Sequence, residues 1–337
     1  MDLALVSAAV IALGVLVYIV LDGFDLGVGV LFAVAPDAGA RATMMNSIAP
    51  VWDGNETWLI LGGAVLFASF PLAYAVALPA LYIPLMLMLF ALIFRGVSFE
   101  LRFKAKNPRR WDFAFGIGST VAAFMQGAML GGLVAGIRVE NNAFAGGPFD
   151  WLTPLALASG IGVVAGYALL GACWLVLKTE GDLQARARVW GRWLVAAVLI
   201  AMGVVSLITP LEHPRVAARW FSGLNLVALA PVPAAAIGVA YLLWSSLGRD
   251  FSPGRGERAP FFLAALLFIL GYAGIGISLW PYIVPYALTI WAAAAPHSSQ
   301  VFTLIGVAFA LPMVAIYTIY AYRVFRGKVG GEGYHAH

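Results

Sequence analysis

Nine apolar runs, each long enough to cross a lipid bilayer, follow one another along this chain with only short connections between them. A spanning helix needs about 20 mostly apolar residues. The qualifying segments are approximately 4–34, 54–72, 75–96, 113–136, 154–177, 189–209, 225–247, 260–281 and 300–323. The pattern predicts an all-α integral membrane protein, with residues 1–326 as a single polytopic membrane domain and 327–337 as a short cytoplasmic tail. The first run is long enough to tilt or to project beyond the bilayer. It is apolar from Leu3 onward, without a basic leader or a cleavage site, and reads as a retained helix and not as a signal peptide. No soluble domain fits between any two runs, and no internal repeat stands out.

Composition supports the membrane reading. The 337 residues are 62% hydrophobic and only 11% charged, whereas a soluble domain carries roughly 25% charge. A net charge of +4 is too small, and too scattered over short loops, to suit a nucleic-acid partner. Cytoplasmic loops of membrane proteins are rich in Lys and Arg. With the N-terminus outside, 17 of the 20 Lys and Arg fall on the inner side, leaving only Arg138, Arg215 and Arg219 outside. The C-terminus is then cytoplasmic. The tail from Gly327 onward reads as frayed, with His335 and His337 in solvent.

Charge inside a membrane costs at least about 3 kcal/mol on insertion scales, so intramembrane acids are candidates for function. The first span contains Leu21-Asp22-Gly23-Phe24-Asp25-Leu26-Gly27-Val28-Gly29. Spacings of three and four place Asp22, Asp25 and Gly29 on one helical face. Gly23 and Gly27 form the GxxxG spacing that lets another helix approach closely. The second span opens with Trp52-Asp53-Gly54-Asn55-Glu56, and Asp53 and Glu56 again share a face. If these two spans pack together, four carboxyls form a ladder from the inner surface toward the membrane middle. Such a ladder suits proton transfer.

Structural readings stand beside this one. Asp53 fits a helix N-cap, and Glu56 would complete a capping box with it. Asp22 and Asp25 fit static partners of an arginine on another helix, with Arg95 at matching depth. Glu100 and Lys104 form a favourable i,i+4 pair worth a few tenths of a kcal/mol. Arg102 to Arg110 reads as a solvated inner loop, and Asp112 as a helix cap. A single interhelical hydrogen bond accounts for Gln126. Cys173, the one cysteine, lies in an apolar run and reads as a buried small side chain. None of the four histidines lies within a span, and no Walker-type loop, HExxH or cysteine cluster is present. The chain is therefore expected to bind no haem, metal or nucleotide of its own.

The two acidic segments also carry a family likeness. Leu21 to Val30, Met45 to Leu59 and Phe94-Arg95-Gly96-Val97-Ser98-Phe99-Glu100, with Trp111-Asp112, resemble subunit II of cytochrome bd-type quinol oxidases. The likeness is dense over about residues 18–115 and rests on hydropathy beyond that. The modest length and short loops resemble the cyanide-insensitive branch of that family. The resemblance implies two four-helix bundles plus a peripheral helix. It implies a partner, subunit I, that holds haems b and d, or b-type haem alone. With it, quinol is oxidised and dioxygen reduced to water, using protons from the cytoplasm. A small single-span subunit accompanies many members, and some hold a structural quinone in this subunit. Positions matching Asp25 and Asp53, with Trp52, are associated in the family with proton delivery or haem-pocket integrity, and those matching Arg95 and Asp112 are also implicated. The sequence has Gly96 where the family more commonly has Pro after the arginine. Many spans with intramembrane acids also fit a secondary transporter, although the missing repeat and the confinement of the acids to two spans speak against it.

Overall fold

The structure, a computed structural model, describes residues 2–248 and 256–329. Arg249, Arg255, His335 and His337 lie outside the described residues. Helix α1 (Leu3–Val30) is capped by Asp2, whose carboxylate accepts from Leu5 N at 3.1 Å, and ends in a 3-10 turn, Leu31–Val34. A short helix α2 (Ala38–Ile48), capped by Asp37, leads into α3 (Trp52–Ser69).

Here the expected third span, 75–96, is corrected. The chain turns by 120° at Phe70 into α4 (Pro71–Ala80), breaks again at Leu81, and only then enters α5 (Tyr82–Arg102). Pro71 has no N–H to continue α3 and pushes the residue before it out of helical geometry. Hydropathy, which is uniform across 71–96, does not register this break. The expected spans elsewhere agree with α6 (Arg109–Ala135), α7 (Pro154–Lys178), α8 (Gly181–Glu212), α11 (Pro231–Leu247), α12 (Ala259–Leu279) and α13 (His297–Val324) to within a few residues, apart from the polar first two turns of α8. Among the described residues, eight helices are long and apolar enough to span, or nine if α3 and α4 form one broken span. Short helices α9 (Pro214–Phe221) and α10 (Leu224–Leu229) connect α8 to α11. Two small hairpins, β1–β2 (Val139–Glu140 with Ala143–Phe144) and β3–β4 (Tyr282–Val284 with Leu288–Thr289), lie on the same rim.

Helices α1, α3, α5 and α6 form one bundle, in which α1 packs on α3 and α6 and α6 packs on α5, and α7, α8, α11 and α12 close a second, each packing on the next. The bundles meet where α7 packs against both α1 and α6, and α13 lies outside them on α3. This is two four-helix bundles plus a peripheral helix. The α1–α7 contact depends on the small-residue seam expected from Gly23 and Gly27. A Cβ on Gly27 would overlap the Tyr167 carbonyl, one on Gly171 would overlap the Gly27 backbone, and one on Gly23 would lie 2.8 Å from the Tyr167 ring. The two backbones touch at these positions, and Phe24 stacks on Trp174 beside them at 4.1 Å between centroids.

Connectivity gathers the ends of α5, α7, α11 and α13, with α2, at one rim, and most cations belong to it. Arg138, Arg215 and Arg219 belong to the opposite rim.

Candidate functional site

Three carboxylates and one guanidinium meet between α1, α3 and α5. Tyr18, Asp22 and Asp25 lie along one side of α1, four and three residues apart. Asp22 and Asp25 are fully buried, and Arg95 of α5 is 1% exposed. Arg95 Nη1 donates to Asp22 Oδ1 at 3.0 Å and to Glu56 Oε1 at 2.9 Å. Its Nη2 stands 4.0 Å from Asp25 Oδ2. Asn55 Nδ2 donates to that same Asp25 oxygen at 2.6 Å and to the Leu21 carbonyl at 3.3 Å. The Tyr322 hydroxyl of α13 in turn donates to Asn55 Oδ1 at 3.0 Å. Trp52 flanks the guanidinium, 5.7 Å from ring centroid to Arg95 Cζ, and stacks on Phe99.

One buried arginine thus faces three acids, so the cluster carries excess negative capacity in a medium that penalises charge. Its internal bonding is also incomplete. Asp22 Oδ2, Asp25 Oδ1, Arg95 Nε and Arg95 Nη2 are buried without a protein hydrogen-bond partner. Of the three acids, Glu56 is the partly exposed one, with its side chain 28% exposed.

Arg95 is the partner of Asp22 that depth suggested. The capping expectations for α3 are corrected. Its N-cap is Val51, with no side-chain cap, and Glu56 turns to Arg95 instead of the helix end. Asp53 is exposed in the first turn of α3 and does not join the cluster, although the helix dipole still favours a negative charge there. Glu100 is also apart, on the surface 3.7 Å from Lys104.

A second ionic cluster lies nearer the basic rim. Asp112 Oδ1 accepts from Arg102 Nε at 2.5 Å, and Oδ2 from Arg41 Nε at 3.0 Å. Asp112 is therefore no helix cap, since the N-cap of α6 is Pro108 and both carboxylate oxygens serve arginines. Arg102, expected in a solvated loop, is 7% exposed and ties α5 to α6. Arg41 brings α2 to the same point.

The sequence reading missed Asn55, Tyr322, Tyr18 and Arg41. Asn55 had a signal, being a polar residue between the two acids of the second span. Gln126 makes two side-chain bonds instead of one, to Tyr18 and Tyr167. Cys173 is buried. Among the described residues no group of three or more His, Cys, Asp or Glu is arranged to hold a metal ion.

The model of the family described as cytochrome bd terminal oxidase subunit II matches residues 3–325. The chain belongs to the cytochrome bd terminal oxidase subunit II family. It is 29% identical to "Cytochrome bd-I ubiquinol oxidase subunit 2" of Escherichia coli strain K12, over 94% of this chain and 92% of that one. It is 30% identical to "Probable cytochrome oxidase subunit 2" of Haemophilus influenzae, over 92% and 90%. It is 28% identical to "Cytochrome bd ubiquinol oxidase subunit 2" of Bacillus subtilis, over 97% and 96%. A chain of the bd oxidase of Geobacillus thermodenitrificans shares the fold, with a TM-score of 0.78, 18% identity, and coverage of 96% of this chain and 99% of that one. As a subunit II, the chain is part of a multi-subunit cytochrome bd-type oxidase of the bacterial cytoplasmic membrane, with subunit I as its partner. Family membership sets the transporter reading aside.

Proposed function

We propose that this chain, together with a haem-bearing subunit I, oxidises quinol and reduces dioxygen to water, and that its α1–α3–α5 cluster conducts protons taken up at the basic rim. The basic rim is then the cytoplasmic one. The observation that carries the reading is the set of three carboxylates around one buried arginine, of which Glu56 is the partly exposed member. At 1.5 Å per residue, Asp25 lies roughly 13 Å from the end of the 3-10 turn at that rim. Protons entering by Glu56 would meet Arg95 and then Asp22. Asp25 is the next acid on this route, its unpaired Oδ1 able to accept a proton while Asn55, backed by Tyr322, holds the other oxygen.

Haem fits subunit I better than this chain. Axial ligation inside a bilayer uses His or Met, and His213 and His297 stand at the rim opposite to Arg102, away from the span interiors. Exposed Asp53, with half-buried Trp52, lies where it can meet subunit I and support its haem pocket. Asp112 supports the same rim by holding Arg102 and Arg41. The apolar outer sides of α5 and α13 offer faces to subunit I and to a small single-span subunit. For a structural quinone, an apolar cavity of about 420 Å³ between α7, α8, α11 and α12, walled by Leu155, Met202, Trp220 and Leu270, has the suitable chemistry.

The test is turnover with assembly controlled. Asp25→Asn and Glu56→Gln keep side-chain volume and remove a titratable oxygen. Each is expected to lower quinol-driven oxygen uptake at least about ten-fold, with haem content and subunit stoichiometry unchanged. Normal uptake in fully assembled variants would mean the cluster is only a static brace.

A further inference from the structure

The rim opposite the basic one is poor in cations, yet two of its arginines, Arg215 and Arg219, share one face of the short helix α9. Each spends a nitrogen on the backbone. Arg215 Nη1 donates to the Tyr286 carbonyl at 3.3 Å. Arg219 Nη1 donates to the carbonyls of Ile277 at 3.0 Å and Ser278 at 3.2 Å, and to that of Trp280. These bonds tie α9 to the β3–β4 hairpin and to the end of α12, but carbonyls leave both guanidinium charges unneutralised. Among the described residues neither arginine forms an ion pair, and their other guanidinium nitrogens make no hydrogen bond.

The next residues along α9, Val216 and Trp220, line the apolar cavity of about 420 Å³. So do Ile277 and Ser278, whose carbonyls Arg219 holds. Arg219 therefore stands at the edge of the cavity. Inward from this edge the cavity follows α8 from Thr209 to Met202 and α12 from Leu279 to Leu270. At about 1.5 Å per residue these stretches are roughly 10 and 14 Å long. That is close to half of a hydrocarbon core about 30 Å thick, the depth of one leaflet. Three of the polar side chains in the wall are already engaged. Thr209 Oγ1 donates to the Val205 carbonyl at 2.7 Å, Ser278 Oγ to the Gly274 carbonyl at 2.7 Å, and Trp220 Nε1 to Ser278 Oγ at 2.9 Å.

We infer that the cavity and the two arginines form one site for an anionic phospholipid, with an acyl chain in the cavity and the phosphate on Arg215 and Arg219. An apolar slot one leaflet deep and a pair of uncompensated cations at its edge match the two halves of such a molecule. The prenyl chain of a quinone suits the wall equally well, but its uncharged ring leaves both arginines without a counter-ion. A long hydrocarbon chain is the chemistry common to the two sources, and the anion decides between them.

The experiment uses the purified oxidase complex, exchanged into nanodiscs of equal parts phosphatidylglycerol and phosphatidylethanolamine, released into detergent and read by native mass spectrometry. The parent is expected to retain one phosphatidylglycerol more than the Arg215→Gln/Arg219→Gln variant. Each arginine is expected to contribute about five-fold to the preference for phosphatidylglycerol over phosphatidylethanolamine. Arg138→Gln, which removes a cation of the same rim outside α9, is expected to keep the lipid. Gly271→Leu leaves both arginines in place and fills the cavity, where a Cβ would meet no atom closer than Met202 Cε at 4.0 Å. It is expected to lose the same lipid, and it covers the case in which the arginine variant fails to assemble. Retention of the lipid by either variant overturns the site, as does a loss of phosphatidylethanolamine in equal measure. Loss of a co-purified quinone from Gly271→Leu, with the lipid count unmoved, overturns it as well and gives the cavity to the structural quinone.

Discussion

Asp112 shows how a single carboxylate can be worth more than its exposure suggests. It accepts from two arginines of different elements, one of them buried. Asp112→Ala leaves Arg102 buried without its counter-charge, and the unpaired ion is expected to cost about 3 kcal/mol. The expected result is a lower thermal midpoint of the assembled complex, with Asp112→Asn less severe because one oxygen still accepts. Unchanged stability of Asp112→Ala would show that water compensates Arg102. The sequence read Asp112 as a helix cap, whereas both of its carboxylate oxygens serve arginines. A first-turn acid is equally consistent with a cap and with an ion pair until the opposing side chains are known. The same ambiguity applied to Asp53 and Glu56. The Asp22–Arg95 pair was legible because each charge is costly in lipid and the two lie at one depth. Asn55 and Tyr322 were not legible as a pair, being 267 residues apart, with no local pattern to join them.

At the level of elements, the glycine spacing of α1 was the most reliable signal. It named a close helix contact, and the structure supplies the partner in Tyr167 and Gly171 of α7. Gly27→Val would push the backbones of α1 and α7 apart, and with them the two bundles. The variant is expected to abolish recovery of the folded complex from detergent, as measured by size-exclusion chromatography. Gly203→Ala is the control, since a Cβ there meets nothing within 4 Å and Ala is favoured over Gly in a helix by up to about 1 kcal/mol. Equal recovery of Gly27→Val and Gly203→Ala would show that the seam tolerates a side chain. Span boundaries were less legible than span number. Apolar residues continue through Phe70, Pro71, Ala80 and Tyr82, so hydropathy merges α4 with α5, and only Pro71 marks the reversal.

For the whole molecule, the two-bundle plan came with the family likeness, because periodicity counts helices without saying which ones touch. What the sequence left unspecified most completely is how the peripheral helix α13 is held. Its tail was expected to fray from Gly327, yet residues Gly327–Val329 are tied to the corner between α7 and α8. Lys178 Nζ donates to the carbonyls of Phe325 and Gly327, and Val329 N donates to the Lys178 carbonyl at 2.9 Å. Lys328 Nζ donates to the Thr179 carbonyl at 2.9 Å and pairs with Glu257 at 2.8 Å. Helix α13 packs on the first bundle and is latched by its end to the second. Burial works to raise the Glu257 pKa, but hydrogen bonds from Lys328 and Gln184 and the charges of Lys328 and Arg188 outweigh it, holding the carboxyl below the usual glutamate range. A carboxyl depressed in the folded state contributes stability that is fully present above its unfolded pKa and is lost as pH falls through its folded one. Lys328 is partly exposed, so solvent screening limits the pair to about 1 kcal/mol, roughly a five-fold change in local opening. Glu257→Gln is therefore expected to speed proteolytic release of the C-terminal segment about five-fold at neutral pH. The parent is expected to reach the same rate only in acid, below about pH 4. A release rate that is independent of both pH and Glu257→Gln would place the latch in the bonds that Lys178 and Lys328 make to backbone carbonyls.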